Sequence, residues 1–70
     1  MRPYRIDVFY SEEDGSWVAD IPDLKHCSAL GRTPQEAVGE VEKAAEAWIE
    51  AATEAGLPIP EPTRPRAQAV

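Results

Sequence analysis

Thr33-Pro34-Gln35-Glu36-Ala37-Val38-Gly39-Glu40-Val41-Glu42-Lys43-Ala44-Ala45-Glu46-Ala47-Trp48-Ile49-Glu50-Ala51-Ala52-Thr53-Glu54-Ala55-Gly56 is the stretch whose reading decides the fold. It predicts one helix with both ends marked. Thr33 suits the N-cap, Pro34 the first helical position, and Glu36 follows Thr33 by three residues. That spacing is a capping box: the Thr33 hydroxyl accepts from the Glu36 N–H while the Glu36 carboxylate reaches back to the Thr33 N–H. Glu36 also sets negative charge at the positive end of the helix dipole. Gly56 fits a left-handed C′ position, Leu57 can fold back onto the last turn, and Pro58 forbids continuation.

Ala37, Val38, Val41, Ala44, Ala45, Trp48, Ile49 and Ala52 recur at helical spacing, and glutamates with Lys43 fill much of the rest. At 1.5 Å per residue such a helix is roughly 33 Å long. One apolar stripe of that length needs a surface to lie on, and only the N-terminal half of the chain can supply it.

That half reads as strands. In Tyr4 to Tyr10, Tyr4, Ile6, Val8 and Tyr10 point one way and Arg5, Asp7 and Phe9 the other, a period of two built from aromatic and β-branched residues. Ser11-Glu12-Glu13-Asp14-Gly15 is a polar loop ending in a residue suited to positive φ. Ser16 to Ile21 gives a second strand, with Trp17, Ala19 and Ile21 on one face and Val18 and Asp20 on the other. Pro22-Asp23 ends it. Leu24-Lys25-His26 connects to a short third strand, Cys27 to Leu30, and Gly31-Arg32 turns into the helix cap. The fold class is therefore α+β: a three-stranded antiparallel meander with one long helix across one face, βββα. The other face still carries Phe9 and Val18, the candidate dimer-interface residues: either a partner subunit covers them or the sheet is imperfectly patterned.

Seventy residues make one domain, and a core this small usually needs a disulfide, a metal or oligomerisation. A single cysteine excludes an internal disulfide, so a two-fold dimer or higher homo-oligomer is the expected remedy. The domain is placed at residues 1–62. Residues 63–70 form a proline-containing tail, whose last residues are expected either to add an edge strand or to be disordered.

Thirteen acids against seven bases give a net charge of −6. Such a surface repels phosphate, so direct nucleic-acid binding is not expected, and it suits a basic protein partner. No apolar run approaches the roughly 18 residues that span a membrane, and the N-terminus lacks a signal-peptide core. A cytoplasmic protein is expected.

Catalytic apparatus is not evident. His26 and Cys27 are the only pair of metal-capable or nucleophilic side chains, and neighbours on a strand point apart. Cys27 reads as a small buried hydrophobe. Asp7, Asp20, Asp23 and Glu40 would have to converge for a metal-dependent nuclease; solvated strand and turn charges account for them. No catalytic residue, metal or cofactor is assigned, and an enzyme is not expected. Trp48 lies on the helix stripe. Trp17, after the turn, packs in the core or anchors a partner.

The order of the pieces says more. Strand Tyr4–Tyr10 is followed by Gly15-Ser16-Trp17-Val18-Ala19-Asp20-Ile21-Pro22-Asp23-Leu24, then Cys27. Gly31-Arg32-Thr33-Pro34-Gln35-Glu36-Ala37, the long helix, and Gly56-Leu57-Pro58-Ile59-Pro60-Glu61-Pro62 come after. This succession resembles the N-terminal domain of the HicB antitoxin family. The resemblance implies a reduced ribonuclease H-like unit without the nuclease's carboxylates. It also implies a dimer or higher oligomer, and a HicA-like partner: a small basic toxin that cleaves RNA and resembles a double-stranded-RNA-binding domain. Relatives commonly carry Pro-Gly before the cysteine where this chain has Lys25-His26, which points to a differently shaped loop. The chain shows no DNA-binding segment, so operon repression does not carry over. The expected function is an antitoxin, or a module derived from one, that masks such a toxin; the alternative is a stand-alone self-associating regulatory domain. Glu12, Glu13, Asp14 and Trp17 are the candidate partner-binding residues, with the solvent face of the helix as a second acidic surface.

Overall fold

The computed structural model describes residues 4–62. Its elements follow in order β1 (Asp7–Ser11), β2 (Ser16–Asp20), β3 (Ser28–Gly31) and α1 (Pro34–Glu54). The strands form one antiparallel sheet in the order β1-β2-β3. This is the βββα arrangement that the alternation and the capped helix predict. The edge strand considered for the tail, and the boundary at residue 63, lie outside the described residues.

The helix begins as its sequence requires. Thr33 is extended at φ −131° and ψ 160°, and its hydroxyl accepts from the Glu36 N–H at 3.0 Å. The Glu36 carboxylate departs from the expected box. It accepts from the N–H of Arg32, one residue before the cap. Gly31 lies against the helix backbone at Glu36 and Ala37, which brings the 31–32 turn within reach of the first-turn carboxylate. At the far end Gly56 is left-handed at φ 73°. The Gly56 N–H donates to Thr53 and the Leu57 N–H to Ala52, the paired bonds of a Schellman cap. Leu57 returns its backbone to the last turn, but its side chain stays exposed.

The helix packs chiefly on β3, less on β2 and least on β1. Ala37, Val41 and Ala45 meet Ala19, Ile21, Leu24, Cys27 and Tyr4 in a core without a buried polar or charged side chain. Small residues along the stripe let the helix approach the sheet closely. Gly31 is the extreme case, where any Cβ would overlap the Ala37 backbone.

The strand ends differ from the expected ones by one residue each, and two strand starts move for a physical reason. Tyr4 and Ile6 precede β1 rather than opening it; Tyr4 is buried, and its hydroxyl donates to the carbonyl of Pro60 at 2.5 Å. Cys27 precedes β3 and closes the intervening loop instead. Its carbonyl accepts from Ile21 at 3.0 Å and its N–H donates to Leu24 at 3.1 Å. In that loop His26 takes φ 61°, the left-handed conformation that glycine adopts without steric cost. Trp48 braces the loop from the helix, its indole Nε1 donating to the Lys25 carbonyl at 3.0 Å.

Candidate functional site

Register assigns the sheet residues to faces. Val8, Tyr10, Trp17, Ala19, Ala29 and Gly31 share the helix side. Asp7, Phe9, Val18, Asp20, Ser28 and Leu30 share the other. On that helix-free side Phe9 stands opposite Val18 and Val18 opposite Leu30, so the three make one apolar row across all three strands. Phe9 and Leu30 are each about half exposed, at 51% and 52%. Phe9 and Val18 thus share the face on which the alternation put them. Leu30 is a third member that the sequence reading left unassigned. Its signal was the alternation of Ala29, Leu30 and Gly31, readable only once Gly31 is known to face the helix.

The helix does not cover the whole of its own side of the sheet. Val8 and Tyr10 continue the face of Tyr4 and Ile6, yet they are 38% and 50% exposed. The helix crosses over β3 and β2 and leaves β1 largely uncovered. Between Val8 and the first turns of the helix lies an open groove of about 330 Å³, lined by Val8, Pro34, Gln35 and Val38. Tyr10 leans edge-on against Trp17, with ring centroids 5.5 Å apart and planes at 71°. Trp17 itself is half-buried against the core.

The acidic groups form two surfaces. In the β1–β2 turn Glu12, Glu13 and Asp14 are all exposed. Asp14 is partly spent on the turn itself: its carboxylate accepts from the Ser11 hydroxyl at 3.0 Å, and its carbonyl from the Ser16 hydroxyl at 3.3 Å. Along the helix Glu42, Glu46, Glu50 and Glu54 stand four residues apart, every one exposed. Among the described residues none of these four has an ion pair; the helix's Lys43 reaches Glu40 instead, at 3.4 Å. Like charges at that spacing disfavour a helix by a few tenths of a kcal/mol per pair. This stripe was legible as a period of four in the sequence.

Catalytic chemistry finds little to work with among the described residues. Asp7 and Asp20 face each other across β1 and β2, and the Arg5 guanidinium bridges to Asp7 at 3.2 Å. No group of three or more His, Cys, Asp or Glu side chains is placed to hold a metal ion. Cys27 is buried and His26 exposed, so the two do not act together. Burial pushes the Cys27 thiol above its ordinary value, and the negative charge of Asp20 adds to the effect. No described helix is long and apolar enough to cross a membrane.

Residues 4–68 match the family model described as the HicB-like antitoxin of bacterial toxin–antitoxin systems. No curated protein and no solved structure matches the chain.

Proposed function

We propose that this chain, which belongs to the HicB-like antitoxin family of bacterial toxin–antitoxin systems, binds and masks a small basic RNA-cleaving toxin of the HicA-like kind. The observation that carries the proposal is the unpaired glutamate stripe Glu42-Glu46-Glu50-Glu54, read together with that membership. The stripe costs helix stability and has no ion pair among the described residues, whereas a lysine- or arginine-rich surface would relieve the repulsion. With a net charge of −6, the chain would attract such a partner from a distance and compete with RNA for the same basic groups. The Glu12-Glu13-Asp14 turn, with Trp17 beside it, is the second surface offered to the toxin. The role needs no catalysis by this chain, no cofactor and no direct contact with nucleic acid, and it belongs in the cytoplasm where the toxin's RNA substrates are.

Self-association is the second reading, and a specific observation favours it: Val8, Phe9 and Tyr10 are successive exposed apolar residues on a strand that is outermost among the described residues. A homodimer could serve the antitoxin or stand alone as a regulatory domain.

The test is capture of partners from native host lysate, with identification by mass spectrometry. A small basic protein whose RNA cleavage stops on mixing supports the antitoxin. Reversing Glu46 and Glu50 to lysine should then weaken capture at least tenfold, and added salt should weaken it for the unaltered chain. Recovery of this chain alone would leave the self-associating domain and end the toxin reading.

A further inference from the structure

We infer that the helix-free face of the sheet is the surface on which a basic partner protein seats, with the Phe9–Val18–Leu30 row as its apolar anchor and the neighbouring acids as a rim for lysine or arginine. The inference rests on the antitoxin reading above and adds to it the face that makes the contact.

Strand pairing lays this face out in rows. Asp7, Asp20 and Ser28 make the first, Phe9, Val18 and Leu30 the second, and Ser11 with Ser16 the third. Beyond the third comes the turn Glu12-Glu13-Asp14, exposed throughout. Along the strands the surface is therefore acidic, then apolar, then acidic again. Successive rows on one face are roughly 7 Å apart, so the strip is about 20 Å long and about 10 Å wide. That is the footprint of one helix of about three to four turns. An apolar centre inside a polar rim is the anatomy of a protein–protein contact. Among the described residues nothing packs over the row, and Phe9 and Leu30 stay half exposed.

The charges select the occupant. Asp7 and Asp20 stand directly opposite each other, and like charges so placed destabilise a sheet. Arg5 reaches Asp7 at 3.2 Å, while Asp20 has no ion pair among the described residues. A lysine or arginine brought in from outside would sit between two carboxylates and remove the repulsion. A second copy turned face to face would instead set acids on acids, in either orientation, because the strip is acidic at both ends. Residues 63–70 carry Arg64 and Arg66 but no apolar side chain larger than valine, too little to cover a row of phenylalanine, valine and leucine. A basic protein with an apolar centre fits both the row and its rim.

The helix glutamates then have a different part. Glu42, Glu46, Glu50 and Glu54 stand on the exposed side of the helix, and the helix lies on the other side of the sheet. A small partner seated on the sheet face does not bury them. Their charge steers its approach, which sets the association rate. The apolar row holds the partner once it has arrived, and its loss speeds dissociation.

The experiment uses the full chain and the basic RNA-cleaving protein recovered by capture. Leu30→Cys places a thiol in the row, and Cys27 is buried and does not compete. Circular dichroism checks that each variant folds. In the free chain the new thiol should react readily with a maleimide, and saturating partner should slow it roughly tenfold or more. Leu30→Asp should weaken inhibition of RNA cleavage about 30-fold or more, chiefly through faster dissociation. Glu46→Lys with Glu50→Lys should act chiefly on association, and high salt should erase the difference. Asp20→Asn separates a contact from a structural role: it should raise the melting temperature of the free chain, yet weaken inhibition about tenfold. A thiol already protected in the free chain means that the chain's own end or a second copy covers the face, and overturns the inference. Inhibition that survives Leu30→Asp, with the thiol unprotected in the complex, moves the partner to another surface; it overturns the inference and leaves the antitoxin reading standing. Recovery of no basic RNA-cleaving protein ends both.

Discussion

Replacing Gly31 by alanine adds one methyl group at the tightest contact between sheet and helix. A Cβ there would sit 2.4 Å from the Ala37 nitrogen and 2.9 Å from both the Ala37 Cα and the Glu36 carbonyl carbon. All three atoms are backbone, so no side-chain rotation relieves the overlap. To approach the 3.5–4.0 Å optimum the start of the helix must withdraw by roughly 1 Å. Overpacking of this kind costs about 1–3 kcal/mol. The same movement pulls the Thr33 cap and its bond to the Glu36 N–H out of line, worth about 1 kcal/mol more. Gly31 is not in the left-handed region, so contact alone sets the cost. The expected loss is about 2–4 kcal/mol, against the roughly 3–5 kcal/mol that a core of this size supplies. The assay is urea unfolding followed by Trp17 and Trp48 fluorescence, with both chains at one fixed concentration because self-association would otherwise shift the midpoint. Gly31→Ala should keep only about 1 kcal/mol of stability and unfold at a much lower urea concentration than the unaltered chain. A loss under about 0.5 kcal/mol, the size of an ordinary surface effect, would refute the close approach of helix and β3.

Gly39→Ala is the opposite test: a Cβ there meets nothing within 4 Å, so the helix should gain about 0.5–1 kcal/mol, read as a higher melting temperature. His26 is held at φ 61°, so His26→Gly should be at least as stable as the unaltered chain. His26→Val, with a β-branched side chain in the left-handed region, should lose about 1–3 kcal/mol. Cys27 should resist thiol reagents in the native state and react on unfolding, because it is 2% exposed and its thiol is held above its ordinary value. The folded chain keeps that proton longer than the unfolded one. Stability should therefore be intact below the ordinary thiol pKa of about 8.5 and fall as pH rises above it, more steeply than in Cys27→Ala.

The helix was legible in the chain almost to the residue. Its signals are local: a cap, a proline, a glycine, and an apolar stripe whose period needs no knowledge of the partner surface. The strands were legible as alternation, and the hairpin as a polar loop ending in Gly15, which takes φ 62°. Their ends were not legible. Tyr4 and Cys27 continue the strand pattern by residue type, but each is held by a bond outside the sheet, to Pro60 and to Ile21 and Leu24. The candidate surface divides the same way. The acidic turn, the helix glutamates and the Phe9–Val18 face follow from charge and parity.

Exposure does not follow from either. Alternation says that Val8 and Tyr10 share a face with Ile6 and, across the sheet, with Ala19, and by itself it predicts all of them buried. Which of them is covered depends on where a 21-residue helix comes to rest on a three-stranded sheet. That resting place is set by Gly31, whose missing side chain lets the first turn settle onto β3. A period of two assigns a residue to a side of the sheet; only the packed helix decides how much of that side remains open. In this chain the open part is the edge strand with the apolar residues.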